Sequence, residues 1–358
     1  MYRKKLLTFC LIVMVVACTP QRQSALEVEA TLTPFQLAQH TPALVPAVTS
    51  TPDLPTATVT SLPEVSEAYL PYTIDYLRSR AYGGGQIETL DVMEEREKFT
   101  RYLIQYPSDG LNIYGFVNVP KREGPLPAIV MIHGYGDSSV STVLGYTTEA
   151  ADFFADDGYL VLHPNMRGYP PSDSGDNLYR VGLAVDVLNL IALVKDQAGQ
   201  PGWLEKADPA RVGLWGHSLG GDVALRVATV SEDVKAVLLY AAISADEFKN
   251  AELFYEITGE QTNLTEWKTP PDIMAYISPL NYLDKITASV KLYHGSADEI
   301  VPVAWAVETC DAMKANYIDV DCAYYIDGRH TFFSKFQPEF NNSMLIFFET
   351  YLMEPQNH

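Results

Sequence analysis

A serine hydroxyl becomes a nucleophile at neutral pH only when a base takes its proton, and a histidine is an effective base only when a carboxylate holds its ring in the right tautomer. One run suits such a serine: Trp215-Gly216-His217-Ser218-Leu219-Gly220-Gly221, between an apolar run at 211–215 and a helix-forming one at 222–230. This Gly-x-Ser-x-Gly pattern places its serine on a strained strand-to-helix turn. Side chains at 216 and 220 would collide with the neighbouring strand and helix, and glycine removes the collision. Later come His294-Gly295-Ser296-Ala297-Asp298-Glu299-Ile300-Val301-Pro302 and Gly328-Arg329-His330-Thr331-Phe332, each after an apolar run. The order is serine, acid, histidine. Ser218 is therefore the expected nucleophile, His330 the general base and Asp298 the orienting acid, with Glu299 the alternative acid one residue further from the strand end.

An acyl-enzyme mechanism also needs donors for the developing oxyanion, and losing one typically slows the reaction by about two to three powers of ten. His133-Gly134-Tyr135-Gly136 follows the apolar run 128–132, which assigns that role to the backbone N–H groups of Tyr135 and Leu219. Among the other histidines, His217 is expected to point away from Ser218 and be structural. His163, ahead of Pro164, reads as a satisfied loop residue, and His133 as a packing residue of its turn. No His-x-x-x-His or Cys-x-x-Cys spacing marks a metal site, and the mechanism requires no cofactor.

These residues need elements that bring them to one edge. Residues 101–106 and 111–119 are apolar, aromatic and β-branched around Ser108-Asp109-Gly110, which reads as an antiparallel hairpin. Short apolar runs follow at 128–132, 159–163, 211–215, 235–240, 290–294 and 321–326, most of them separated by helix-length stretches such as the amphipathic-looking 181–197. That alternation predicts a mostly parallel central sheet with helices on both faces. The spacing between Ser244 and Ser289 exceeds one crossover, so a small lid insertion is expected at about 245–288. Its aromatics Phe248, Phe254, Tyr255, Trp267 and Tyr276 are candidates for an apolar acyl pocket, with packing of the lid itself the alternative.

The chain of 358 residues is 47% hydrophobic and 20% charged, enough for a large core, and carries a net charge of −20. That charge repels phosphate backbones, so nucleic acid is excluded as a natural partner. Arg3, Lys4 and Lys5 precede an apolar run ending Val15-Val16-Ala17-Cys18. The run is short for a membrane span and has the build of a signal peptide, 1–17, whose final residues resemble a bacterial lipoprotein processing box. The expectation is export, with lipidation of Cys18 anchoring the chain outside a bacterial membrane or in the periplasm; an ordinary secretory signal is the alternative. Residues 18–64 are rich in Thr and Pro and read as a disordered stalk. Residues 65–100 read as a partly helical lead-in, and 101–354 as the catalytic domain. Cys310 and Cys322 are left as either a disulfide or two buried thiols. Nothing in the sequence sets an oligomeric state.

The Ser218 elbow resembles that of the prolyl oligopeptidase group, including dipeptidyl- and acylaminoacyl-peptidase-like hydrolases. So do Pro164-Asn165-Met166-Arg167-Gly168-Tyr169-Pro170-Pro171-Ser172, Ser278-Pro279-Leu280-Asn281-Tyr282-Leu283-Asp284 and the Asp298 and His330 motifs. The resemblance covers residues 102–352 and implies an α/β-hydrolase fold, a serine hydrolase acting on an ester or short peptide, and a structural, loop-shaping Arg167-Gly168. The family's full-length peptidases carry a β-propeller ahead of this domain, for which the sequence has no room, and this favours esterase over peptidase action. Acyl transfer to an alcohol or amine, or a non-catalytic surface binding module, are the other readings.

Overall fold

The computed structural model describes residues 65–136, 144–258, 264–332 and 336–353. The expected signal peptide, Cys18 and the stalk lie outside them. In chain order the elements are α1 (Ile74–Ser79), β1 (Glu88–Glu95), β2 (Phe99–Ser108), β3 (Leu111–Pro120), β4 (Leu126–Ile132), α2 (Thr148–Asp156), β5 (Leu160–Pro164), α3 (Val181–Gln197) and β6 (Ala207–His217). They continue as α4 (Leu219–Val230), β7 (Val234–Tyr240), α5 (Glu247–Thr258), α6 (Leu264–Trp267), α7 (Pro271–Ile277), β8 (Ser289–Gly295), α8 (Val303–Ala315), β9 (Val320–Tyr325) and α9 (Gln337–Leu352).

Among the described residues nine strands form one sheet in the order β1-β2-β3-β5-β4-β6-β7-β8-β9. β1 to β3 are antiparallel, β3 runs antiparallel to β5, and every pairing from β5 through β4 to β9 is parallel. This is the α/β-hydrolase arrangement, with the expected hairpin as β2 and β3. Parallel strands covered on both faces are apolar throughout, and β4 is buried at every position. Its side chains alternate between two cores. Ala128, Val130 and Ile132 face the layer of α3 and α4, while Ile129 and Met131 face Phe154 of α2 and Phe340, Met344 and Phe348 of α9.

The structure departs from the sequence reading in three places. The lead-in contains a strand as well as a helix: β1 pairs with β2 as the sheet's edge. α3 is not amphipathic, since only Ala192, Lys195 and Asp196 escape burial. Residues of the lead-in cover the side that would otherwise meet solvent: Gly83 N–H donates to Asn189 Oδ1 at 2.8 Å and Ile87 N–H to Gln197 Oε1 at 3.1 Å. Finally, His163 is a buried strand residue, stacked on Phe116 at 4.6 Å between ring centroids. Its Nε2 contacts Thr147 Oγ1 at 2.5 Å, while its Nδ1 has no partner among the described residues. A disulfide joins Cys310 of α8 to Cys322 of β9, resolving the two readings of that pair.

Candidate active site

Every parallel strand delivers its C-terminal end to the same sheet edge, and the chemistry-bearing residues follow β4, β6, β8 and β9. Ser218 follows β6 directly with φ 57° and ψ −120°, a region that costs an ordinary residue on the order of 1–3 kcal/mol. The turn holds because both flanking positions lack Cβ. A Cβ on Gly216 would lie 2.2 Å from Gly220 O, and one on Gly220 would lie 2.1 Å from Ile132 O. Ser218 N–H donates to Tyr240 O at 2.9 Å and its carbonyl accepts from Gly221 N–H at 2.9 Å, which fixes the elbow.

His330 Nδ1 lies 2.9 Å from Asp298 Oδ2. The Asp298 side chain is fully buried and takes four donors: Ile300 N–H at 2.9 Å and Val301 N–H at 2.8 Å on Oδ1, and His330 Nδ1 and His294 Nε2, the latter at 3.1 Å, on Oδ2. Burial alone would push this carboxyl up, but the hydrogen bonds from His294, His330, Val301 and Ile300 outweigh it and hold it well below the usual carboxylate range. Glu299, the alternative acid, turns to the surface. Its oxygens take Arg329 Nη2 at 2.7 Å and the His330 backbone N–H at 3.2 Å rather than the imidazole.

Ser218 and His330 line one open cavity of about 340 Å³, together with Gly134, Tyr135 and Thr331 at its polar end. Tyr135 and Leu219 sit where the sequence places them, Tyr135 in the turn after β4 and Leu219 in the first turn of α4, where backbone donors have no helical acceptor. The apolar wall comes from Ile243, Ile300 and three residues of α5, namely Leu253, Phe254 and Ile257. The expected insertion is therefore real in outline, as α5, α6 and α7, but only Phe254 of its five aromatics faces the cavity. Phe248 and Tyr255 pack on Trp267 within the lid, at 5.9 and 5.4 Å.

Buried charges fix the lid to the elbow helix. Arg180 pairs with Glu247 of α5, and with Glu266 of α6 at 3.0 Å. Arg226 of α4 pairs with Glu247 as well and donates to Ile277 O at 2.7 Å. The Arg180 guanidinium also lies over the Phe254 ring, 4.9 Å from its centroid, so the cavity wall and the ion network share a side chain. Arg167 of the Arg167-Gly168 step forms a buried pair with Asp186 at 2.7 Å, which agrees with a structural part.

Two residues differ from the sequence reading. His217 does not turn away: it lines the cavity, and its ring centroid is 4.9 Å from that of His330. Burial, and the His330 ring beside it, lower its pKa to about 4. Tyr146, which no motif marks, also lines the cavity with its hydroxyl turned inward, 2.7 Å from His217 Nδ1. Among the described residues no cluster of three or more His, Cys, Asp or Glu side chains is arranged to hold a metal ion.

The chain has relatives among known proteins and among solved structures. Esterase EstD of Thermotoga maritima is 24% identical over 184 residues, covering 47% of this chain and 42% of that protein. Protein phosphatase methylesterase 1 of Aspergillus oryzae is 29% identical over 136 residues, 37% of this chain and 30% of that protein. The chain thus spans less than half the length of these relatives. Among solved structures, acetyl xylan esterase 1 from Thermoanaerobacterium sp. JW/SL YS485 superposes with a TM-score of 0.55 at 20% identity, over 79% of this chain and 93% of that one. Pyrococcus horikoshii acylaminoacyl peptidase gives 0.58 at 22% identity, over 73% and 43%. At such identities the likeness is one of fold. The family model described as the prolyl oligopeptidase family matches residues 146–354, more than half of the chain and all of it from Tyr146 through Ser218, Asp298 and His330, and by that match the chain belongs to the prolyl oligopeptidase family.

Proposed function

We propose that the chain is a serine hydrolase that moves an acyl group from an ester to water through an acyl-enzyme on Ser218. The observation that carries this reading is the His330 Nδ1 contact with the buried Asp298 carboxylate at 2.9 Å, on a histidine that shares one cavity with Ser218. Ser218 Oγ attacks the carbonyl carbon as His330 Nε2 takes its proton. The N–H groups of Tyr135 and Leu219 stabilise the oxyanion, and His330 returns the proton to the leaving alkoxide. Water then repeats the sequence on the acyl-enzyme, releasing the acid and free Ser218.

Among the described residues the cavity is lined by no Asp, Glu, Lys or Arg, so a substrate's free amine or carboxylate finds no clamp there, whereas an uncharged acyl chain meets Leu253, Phe254 and Ile257. That favours an ester over a peptide, in keeping with the relatives named as esterases. The peptidase reading is kept alive by the family itself and by the acylaminoacyl peptidase fold. Matched ester and amide substrates sharing one acyl group separate the two. We expect kcat/KM for the ester to exceed that for the amide and for short unblocked peptides, and a peptide cleaved as well as the best ester would restore the peptidase reading. Ser218→Ala is expected to abolish turnover and fluorophosphonate labelling with the fold intact, and labelling that persists would remove Ser218 from its role.

The sequence of residues 1–18 supports export and lipid anchoring at Cys18. Cys18→Ser should release the chain from membranes; a variant as firmly bound as the wild type and processed at the same site would refute the anchor.

A further inference from the structure

Three hydrogen bonds connect the turn after β4 with the backbone of His330, and none uses the side chain of Ser218, His330 or Asp298. Gly134 N–H donates to Tyr146 Oη at 2.7 Å, Tyr146 Oη lies 2.7 Å from His217 Nδ1, and His217 Nε2 lies 3.1 Å from His330 O. From these contacts we propose that Tyr146 is a positioning residue, whose hydroxyl, acting through His217, ties the oxyanion turn to the segment carrying the general base.

The direction of each proton follows from the partners. A backbone carbonyl only accepts, so the bond to His330 O requires the proton on His217 Nε2. The ring is buried and its pKa lies at about 4, so it is neutral at pH 7 and its Nδ1 is an acceptor. Tyr146 O–H therefore donates to Nδ1, and a lone pair of the same oxygen accepts from Gly134 N–H. Every donor and acceptor of these three bonds is paired in this arrangement alone. It also spends the only proton of the phenol on His217, so the hydroxyl has none left for an oxyanion, which is why Tyr146 positions and does not itself stabilise charge.

Its location gives the tie a purpose. A Cβ on Gly134 would sit 2.7 Å from Tyr146 Oη and 3.1 Å from Ser218 Cβ, so the hydroxyl is packed against the elbow with Gly134 between. Gly134 immediately precedes Tyr135, whose N–H is the proposed oxyanion donor. The turn after β4 and the loop after β9 are separated in the sheet by β6, β7 and β8, and the relay bridges them across the elbow. Removing the hydroxyl would leave Gly134 N–H and His217 Nδ1 unpaired, although Tyr146 as a residue is 56% exposed and its ring would stay. An error of about 1 Å in such geometry can slow a reaction by about a hundredfold.

The inference rests on Ser218 being the nucleophile, and the test keeps the two apart. In the full-length chain, Tyr146→Phe and His217→Asn are each expected to lower kcat on a short-chain 4-nitrophenyl ester by about ten- to a hundredfold. KM should stay within about twofold and the melting temperature close to wild type, because the lost alignment matters in the transition state more than in substrate binding. The double variant should be no more than about threefold worse than the worse single one, since both cut the same relay. Unchanged kcat in Tyr146→Phe, a loss confined to KM, or costs that multiply would overturn the relay. Nitrogen-15 NMR of the His217 ring supplies a readout independent of turnover. The relay requires the neutral Nε2–H tautomer at pH 7, and an Nδ1–H tautomer or a charged ring overturns it. If the wild type neither labels nor turns over the ester, the serine-hydrolase reading fails, and the tautomer still decides the relay.

Discussion

Asp298 illustrates how a single carboxylate is kept ionised inside a protein. Its loop folds back so that two backbone N–H groups reach Oδ1, and two imidazoles share Oδ2. His294 Nε2 also lies 3.0 Å from Val301 O; both of its partners only accept, so Nε2 carries the proton and the ring is a donor to Asp298 rather than a competitor for its proton. With four donors the carboxylate is satisfied in spite of burial, and the imidazole of His330 meets a fixed negative charge. Asp298→Asn is expected to lower kcat by about three to four powers of ten, because an amide cannot enforce the same tautomer on His330. Glu299→Gln should stay within about threefold, since its carboxylate serves Arg329 and a backbone N–H at the surface, where solvent screens such contacts. His294→Phe removes one of four donors and should cost roughly tenfold, corresponding to the ~1.5 kcal/mol of a single charge-assisted hydrogen bond. Steady-state rates on one ester decide this: if Glu299→Gln lost as much as Asp298→Asn, the acid would have to be reassigned. The motifs around 218, 298 and 330 were legible because spacing along the chain encodes them. Tyr146 was not, because its partners Gly134 and His217 lie 12 and 71 positions away.

At the level of elements, what could be read and what could not divides along a physical line. Strands buried on both faces must be continuously apolar, so β4 to β8 stand out from the sequence alone. β1 does not: it reads Glu88-Thr89-Leu90-Asp91-Val92-Met93-Glu94-Glu95, lies mostly in solvent, and has register shifts between Thr89 and Asp91 and between Val92 and Glu94 that break any simple alternation. Charge and irregularity are how an edge strand avoids pairing with other chains, and they erase the very signal by which strands are recognised. α3 was misread for a related reason. Its Asp186, Asn189 and Gln197 look like a polar face, but each is buried and bonded: Asp186 to Arg167 and Ser108, Asn189 to Gly83 and Ser108, Gln197 to Ile87. A polar residue paired with a distant partner is indistinguishable in sequence from one facing water. The lid follows the same logic. Its position was visible from spacing, but not its anchoring, which depends on Arg180 and Arg226 meeting Glu247 and Glu266 out of contact with water. Removing Arg180 would leave the buried Glu266 without its ion pair, a loss of about 3–5 kcal/mol in comparable pairs, so the lid is held as part of the core rather than as a loose cover over Ser218.

The molecule as a whole carries a net charge of −20, yet its response to acid also depends on groups that are uncharged at neutral pH. Burial lowers His163 to about 3, helped by His133 and Arg101 nearby, and lowers His217 to about 4. A histidine depressed in the folded state contributes stability that is present above its unfolded pKa, about 6.5, and is lost as pH falls through the folded value. Over pH 6.5 to 4 each of these rings should therefore withdraw about 3 kcal/mol. Glu247 acts in the opposite sense. Burial, resisted by Arg180, pushes it up to about 7, so its contribution is full below about 4.5 and lost as pH rises through 7. Because such terms oppose one another, the overall pH profile is a poor test of any one of them, and a difference between two proteins is a good one. His163→Phe keeps a flat ring against Phe116 but gives up the Thr147 contact, which should make the variant less stable than wild type by about 1 kcal/mol at pH 7. Phenylalanine takes up no proton, so as pH falls the wild type alone loses the His163 contribution, and by pH 4 the variant should be the more stable by about 2 kcal/mol. Urea unfolding of both proteins at pH 7, 6, 5 and 4 measures that difference directly. The stabilities should cross between about pH 6 and 5; a difference that stays constant across the series would mean that His163 is as easily protonated in the folded chain as in the unfolded one.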